Sequence, residues 1–245
     1  MAIAFGTSTT AVGNDVATSS ISVPSGVAND DMLLLVINVS ESVGVTPTVS
    51  GSWTQKLRLD QVASGSNEDH VQILYWRRAS SEPGSYTITW DGTYGNYGAA
   101  AMLRYTGVIK TGDPFRTTNT TFYDLGAGPK ASAALTGVQA TDMAIHMLGA
   151  AKSSWNTDAY DLAGPGGSWV ERGEIYMTTA STGKPGHIAV EQLGTGTAPS
   201  FTSSGTGATN ISWILFGTAL MQEPPVPPLG SKIYTSASVR RASTW

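Results

Sequence analysis

Ser25-Gly-Val-Ala-Asn-Asp-Asp-Met-Leu-Leu-Leu-Val-Ile37 places a turn directly against an unbroken apolar run. Gly26 and the Asn29-Asp30-Asp31 cluster carry the turn chemistry, and residues 32–37 read as a buried strand. The unit recurs as Gly137-Val138 with Asp142-Met143, an offset of 111 residues. Trp90 and Phe201, and Tyr105 and Phe216, fall at the same offset. Gly51-Ser-Trp53 returns as Gly167-Ser-Trp169 with five extra residues between, each a turn followed by an aromatic anchor. Several coincidences at one offset describe an internal duplication of about 110 residues.

Working outward, short β-branched runs separated by Gly, Pro, Asn and Ser clusters predict an all-β chain. The expected strands are 20–23, 32–39, 53–59, 71–77, 86–90 and 99–106, then 131–135, 143–149, 169–173, 175–180, 187–192 and 211–220. No sustained 3.6-residue stripe with caps is present, so little helix is expected. Two architectures suit the pattern: one jelly-roll-like β-sandwich to which each half gives a Greek key, or two small immunoglobulin-like sandwiches. The single sandwich is favoured. Its body is expected to span 1–222, with quasi-repeats 1–110 and 130–222 joined by an irregular segment, 110–130.

Composition narrows the function classes. The 245 residues contain no cysteine, which removes disulfides and thiolate metal sites. Charged residues make up 13%, about half the usual quarter, with net charge −4. No basic stripe interleaved with aromatics is present, which argues against nucleic acid as a partner. The apolar runs are far too short for a membrane span, and Met1–Ser8 does not read as a signal peptide.

Catalytic patterns find little support, so no catalytic residue, metal ligand or cofactor is expected. His70, His146 and His187 stand apart, without Ser or Asp at telling spacings, and no Gly-x-Ser-x-Gly elbow exists. Neither Glu171 with Glu174 nor Asp91 makes a convincing glycosidase pair. Asn29-Asp30-Asp31 lacks the spacing of a calcium loop and reads as a strand-capping turn. Trp90-Asp91-Gly-Thr-Tyr94-Gly-Asn-Tyr97 is a glycine-rich aromatic turn. With Trp155 and Tyr160 it is a candidate for glycan or interface contact, the alternative being aromatics folded onto the sandwich end.

The chain finishes on Glu223-Pro-Pro-Val-Pro-Pro-Leu229, then on Gly230–Trp245. The four prolines favour polyproline II, a semi-rigid spacer (223–229) that carries the chain roughly 15–20 Å from the body. Residues 230–245 are too polar to fold alone. Ile233, Tyr234, Val239, Arg240, Arg241 and Trp245 are the candidate partner-docking residues.

The motifs at 25–35, 51–54, 75–79, 82–90, 104–108, 113–115, 169–172 and 182–186 together resemble a β-sandwich family of phage and bacterial surface proteins. Lys232-Ile-Tyr-Thr-Ser-Ala-Ser-Val-Arg-Arg241 is similar to C-terminal segments of minor tail proteins from actinobacterial phages, with Ser236 or Ala237 where those carry glycine. The resemblance implies a virion protein made in the host cytoplasm and no enzymatic residues. A minor tail protein at the tail tip, docking on other virion proteins as a homo-oligomer in a symmetric assembly, is the leading expectation. A capsid decoration subunit and a module for a host cell-wall glycan are the alternatives, and a polysaccharide hydrolase is a distant third.

Overall fold

A computed structural model describes residues 1–13, 16–40, 46–62, 69–90, 97–123, 129–152, 161–163, 167–176, 184–204 and 211–225. Every regular element among them is a strand. The first half holds β1 (Ala4–Gly13), β2 (Thr18–Ser22), β3 (Met32–Ser40), β4 (Thr48–Val49), β5 (Thr54–Gln61), β6 (His70–Arg78), β7 (Ser85–Thr89) and β8 (Gly98–Thr106). The second holds β9 (Phe115–Tyr123), β10 (Lys130–Ala131), β11 (Met143–Lys152), β12 (Asp161–Ala163), β13 (Val170–Tyr176), β14 (Lys184–Leu193), β15 (Ser200–Ser204) and β16 (Ile211–Leu220).

The duplication extends to topology. In the first half a five-stranded sheet runs β1-β8-β3-β6-β5 and a three-stranded sheet runs β2-β7-β4. The second half repeats both orders with every label raised by eight, β9-β16-β11-β14-β13 and β10-β15-β12. Strands that wind between two antiparallel sheets, with the first beside the last, make a jelly-roll-like sandwich.

The central strands explain how the sheets stack. All nine residues of β3 are buried. Met32, Leu34 and Val36 join a core shared with Met143, Ile145, Ile214 and Phe216 of the second half. Leu33, Leu35 and Ile37 pack instead with Ile21, Tyr86, Ile88 and Trp90, toward β2-β7-β4. A strand that is apolar on both faces needs a cover on both. The two five-stranded sheets therefore pack on each other, and each carries a three-stranded sheet outside. The body is a β-sandwich of two like halves, but four layers deep rather than one shared pair of sheets.

Five strands lie where none was expected: the short β4, β12 and β15, and the long β1 and β9. β1 is a Thr- and Ser-rich strand on β8, and β9 takes nine residues out of the segment 110–130 that was expected to be irregular, paired along β16. The expected strands 169–173 and 175–180 begin as one, β13, with a bulge between Glu171 and Gly173.

The repeated motifs build repeated turns. Gly26 and Gly137 take φ of +69° and +74°, Gly51 and Gly167 +84° and +86°, all left-handed. The Asp31 carboxylate accepts the Ala28 N–H at 2.9 Å, and Asp142 accepts that of Gln139 at 2.8 Å. An arginine closes each turn, from a different strand in each half. Arg104 of β8 donates to Asp31 at 2.7 Å, whereas Arg116 of β9 grips both oxygens of Asp142.

Register also gives the body two unlike ends. Gly13 pairs Gly98, Val39 pairs Gly98, and Ser40 and Gln61 both pair His70, so these strand ends lie together. Asn38 donates to the Ala150 carbonyl at 2.8 Å, which puts the corresponding end of the second half beside them. Every connection that follows an odd-numbered strand thus leaves from one end. Those that follow even-numbered strands, and the chain beyond β16, leave from the other.

Candidate docking site

The chain departs from the body through a clamp. After β16, the Met221 N–H donates to the Pro114 carbonyl at 2.9 Å, and that of Ile109 to the Met221 carbonyl at 3.0 Å. Val108 bridges Gln222, and the Glu223 N–H reaches the Gly107 carbonyl at 2.8 Å. The Glu223 carboxylate turns back to accept the Lys110 N–H at 2.6 Å. Gly107 is required here: its φ is +72°, and a Cβ would stand 2.2 Å from the Ala2 carbonyl oxygen. Pro224 and Pro225 follow, both exposed. The proline spacer therefore starts from a fixed point.

Beside the clamp lies a cleft of about 550 Å³, lined by Met1, Asp30, Arg104, Val108, Lys110 and Glu223 among others. Asp30 occupies the left-handed region (φ +71°), which aspartate tolerates better than most residues. Its carboxylate takes the Lys110 ammonium at 2.9 Å, and this hydrogen bond, with the attraction behind it, raises the lysine pKa. Burial lowers that of Arg78, while Asp30 and Glu223 oppose the shift. Asn29-Asp30-Asp31 is thus the expected strand-capping turn, its two acids answered by lysine and arginine.

The aromatic candidates are divided. Trp90 is no surface contact. It is completely buried, and its Nε1 donates to Ser19 Oγ at 2.8 Å. Its ring lies against Gly13 and Gly98, where a Cβ would approach it to 2.5 and 2.3 Å. Phe201, its counterpart, is equally buried. Tyr97 is half-buried at the loop-bearing end, and its carbonyl accepts the Ser40 N–H at 3.2 Å. Asp91, Tyr94, Trp155 and Tyr160 lie outside the described residues, as do Ile233, Tyr234, Val239, Arg240, Arg241 and Trp245.

His70 and His146 are both completely buried. His146 Nδ1 stands 2.8 Å from Ser132 Oγ, and the ring meets Trp169 edge-on at 5.1 Å. Burial pushes its pKa down to about 4, so the ring is neutral at pH 7. No group of three His, Asp or Glu suited to a metal ion occurs among the described residues, and no helix there is long and apolar enough to cross a membrane. Sequence reading missed Lys110 and Glu223, which are 113 residues apart and meet only in the fold. No protein-family model, curated protein or solved structure matches the chain.

Proposed function

We propose that the protein is a structural component of a tailed-phage virion, a minor tail protein of the tail tip. It holds its neighbours through its body and the peptide that follows the proline spacer. The clamped exit carries this reading: four hydrogen bonds between 107–114 and 221–223 fix where the spacer begins. A peptide projected from a fixed point by a stiff spacer loses less freedom on docking than one on a floppy tether. Its residues suit addition to a neighbour's sheet edge, with main-chain hydrogen bonds for affinity and Ile233, Tyr234 and Trp245 for register. The resemblance of 232–241 to minor tail proteins supplies the setting.

Deleting residues 224–245 tests the proposal. The truncated protein is expected to keep its β-type circular dichroism and its urea midpoint, because the clamp ends at Glu223. It is also expected to be absent from particles assembled in a host that supplies no intact copy. A truncated protein that enters particles at the intact level, or one that unfolds, overturns the reading.

A further inference from the structure

We infer that the free edge of β9 pairs antiparallel with β9 of a second copy, joining two bodies through one continuous sheet. This contact goes beyond the assembly reading: it belongs to the body and is separate from the docking of the C-terminal peptide.

Each five-stranded sheet has two edge strands, β1 and β5 in the first half, β9 and β13 in the second. An unpaired edge presents a row of N–H and C=O groups that can take up another strand, and proteins blunt it with bulges, charges or cover. Three of the four edges are blunted. β5 shifts register between Gln55 and Leu57 and carries Lys56, Arg58 and Asp60. β13 shifts between Glu171 and Gly173 and carries Glu171, Arg172 and Glu174. β1 shifts between Phe5 and Ser8 and is covered as well, because Arg172 and Gly173 of β13 lie against Phe5 and Ser8. The outer sheets end in strands of only two to five residues.

β9 is the exception. Its one charged residue, Arg116, stands at the single register shift and is held on Asp142. From Thr117 to Tyr123 the strand has no charge, proline or glycine, and it pairs β16 residue for residue. Asn119 turns to the outer side, where it donates to the Ala134 carbonyl. Thr118 and Thr120 pair Thr218 and Phe216, on the face toward the first half, yet both are exposed. Among the described residues β5 does not run along β9 as β13 runs along β1.

The sequence of this edge names its occupant. Thr117-Thr-Asn119-Thr-Thr121 reads the same in both directions. A twofold axis at Asn119 therefore sets Thr118 opposite Thr120 of the second copy, and Thr117 opposite Thr121. Threonines facing each other across an antiparallel pair are favourable. Position 116 falls opposite position 122, so the one cation never meets itself. The pairing is isologous and uses the β9 edge of both copies, so assembly through it stops at the dimer. The Met221 N–H is bonded to the Pro114 carbonyl, just before β9, so the two C-terminal peptides leave from opposite ends of the pair.

Sedimentation of the full chain tests this. The wild type is expected to form a dimer that grows with concentration and persists when 224–245 are deleted. Thr118→Lys with Thr120→Lys sets like charges against each other twice, and is expected to weaken the dimer by about tenfold or more. Circular dichroism and the urea midpoint of that variant stay at wild-type values. Thr118→Glu with Thr120→Glu is likewise monomeric alone, and mixing it with the lysine variant restores a dimer. Register has its own readout, because the chain contains no cysteine. Directly opposed residues stand about 4.5–5.5 Å apart between Cα atoms, within disulfide reach. Under mild oxidation Thr118→Cys mixed with Thr120→Cys is therefore expected to give a linked dimer, and neither variant alone to do so. A wild type that stays monomeric, a lysine variant that pairs as tightly, charge variants that stay apart when mixed, or cysteines that link equally well in each variant alone overturns the inference. So does a dimer lost on deleting 224–245, which would make the C-terminal peptide the occupant of the edge.

Discussion

Trp90 and His146 are both enclosed between a five-stranded and a three-stranded sheet, one in each half, with opposite consequences. The Trp90 ring fits because Gly13 and Gly98, paired across β1 and β8, leave it room. Gly98→Ala puts a methyl 2.3 Å from ring atoms of the fully buried Trp90, well inside contact distance. That overpacking is expected to cost about 1–3 kcal/mol in urea unfolding, and Trp90→Phe in the same chain to recover part of it. His146 gives an acid sensitivity instead. Its ordinary value of about 6.5 in the unfolded chain falls to about 4 in the fold, so between those values the unfolded state holds the proton more readily. Stability is therefore fully present above pH 6.5 and is lost as pH falls through 4, by about 3 kcal/mol from this group. The equivalent position in the first half is Leu35. His146→Leu leaves Ser132 without its partner and is expected to cost about 1 kcal/mol at pH 7. It also flattens the slope of unfolding free energy between pH 6.5 and 4, and an unchanged slope would show that the histidine is not its source.

Turns and edge strands bear different loads at the level of the element. Asp142 is fully buried, accepts the Gln139 N–H, and is held by both guanidinium contacts from Arg116. Removing it leaves the Gln139 N–H without its acceptor, while the partly exposed Arg116 turns to water, so Asp142→Ala is expected to cost about 1–3 kcal/mol. In a double-mutant cycle with Arg116→Ala the coupling should exceed about 1 kcal/mol, and a smaller one would mean that the pair contributes little to the turn. The turns and central strands were legible because one short segment carries each whole pattern: a left-handed glycine, an aspartate three residues after the N–H it caps, then an apolar run. β1 and β9 were not. Thr7-Ser8-Thr9-Thr10 and Arg116-Thr-Thr-Asn-Thr-Thr121 show no apolar alternation, and their strand state depends on pairing with β8 and β16, far along the chain. The tail clamp was hidden for the same reason. Trp90 misled because its neighbours in sequence are loop residues, whereas its burial comes from two glycines in other strands.

Cooperativity across the whole molecule follows from what lies between the halves. The shared core takes Met32, Leu34, Leu103 and Tyr105 from one and Met143, Ile145, Ile214 and Phe216 from the other, all essentially shielded from solvent. Cations stack at matching places on either side, Arg172 over Phe5 at 4.6 Å and Lys56 over Phe115 at 4.9 Å, as a quasi-twofold contact requires. Polar groups fix the alignment. Arg172 donates to the buried Glu191 at 2.7 Å, and the Tyr105 hydroxyl is pushed well above its ordinary pKa by burial and then by the Glu191 charge. Neither half can leave the other without exposing an apolar sheet face. The body is therefore expected to unfold in one transition despite its two sandwiches. Phe216→Ala removes a second-half side chain that also packs against the first, at an expected cost of about 3–5 kcal/mol. If the halves are one unit, fluorine probes at Trp90 and Trp213 report the same lowered midpoint. If they are two, the Trp90 signal keeps the wild-type midpoint while that of Trp213 falls, and the shared core is then a contact between independent domains. Residues 1–110 expressed alone expose the face of Leu34, Leu103 and Tyr105 and should pair through it or precipitate, whereas a stable monomer would point to the second outcome.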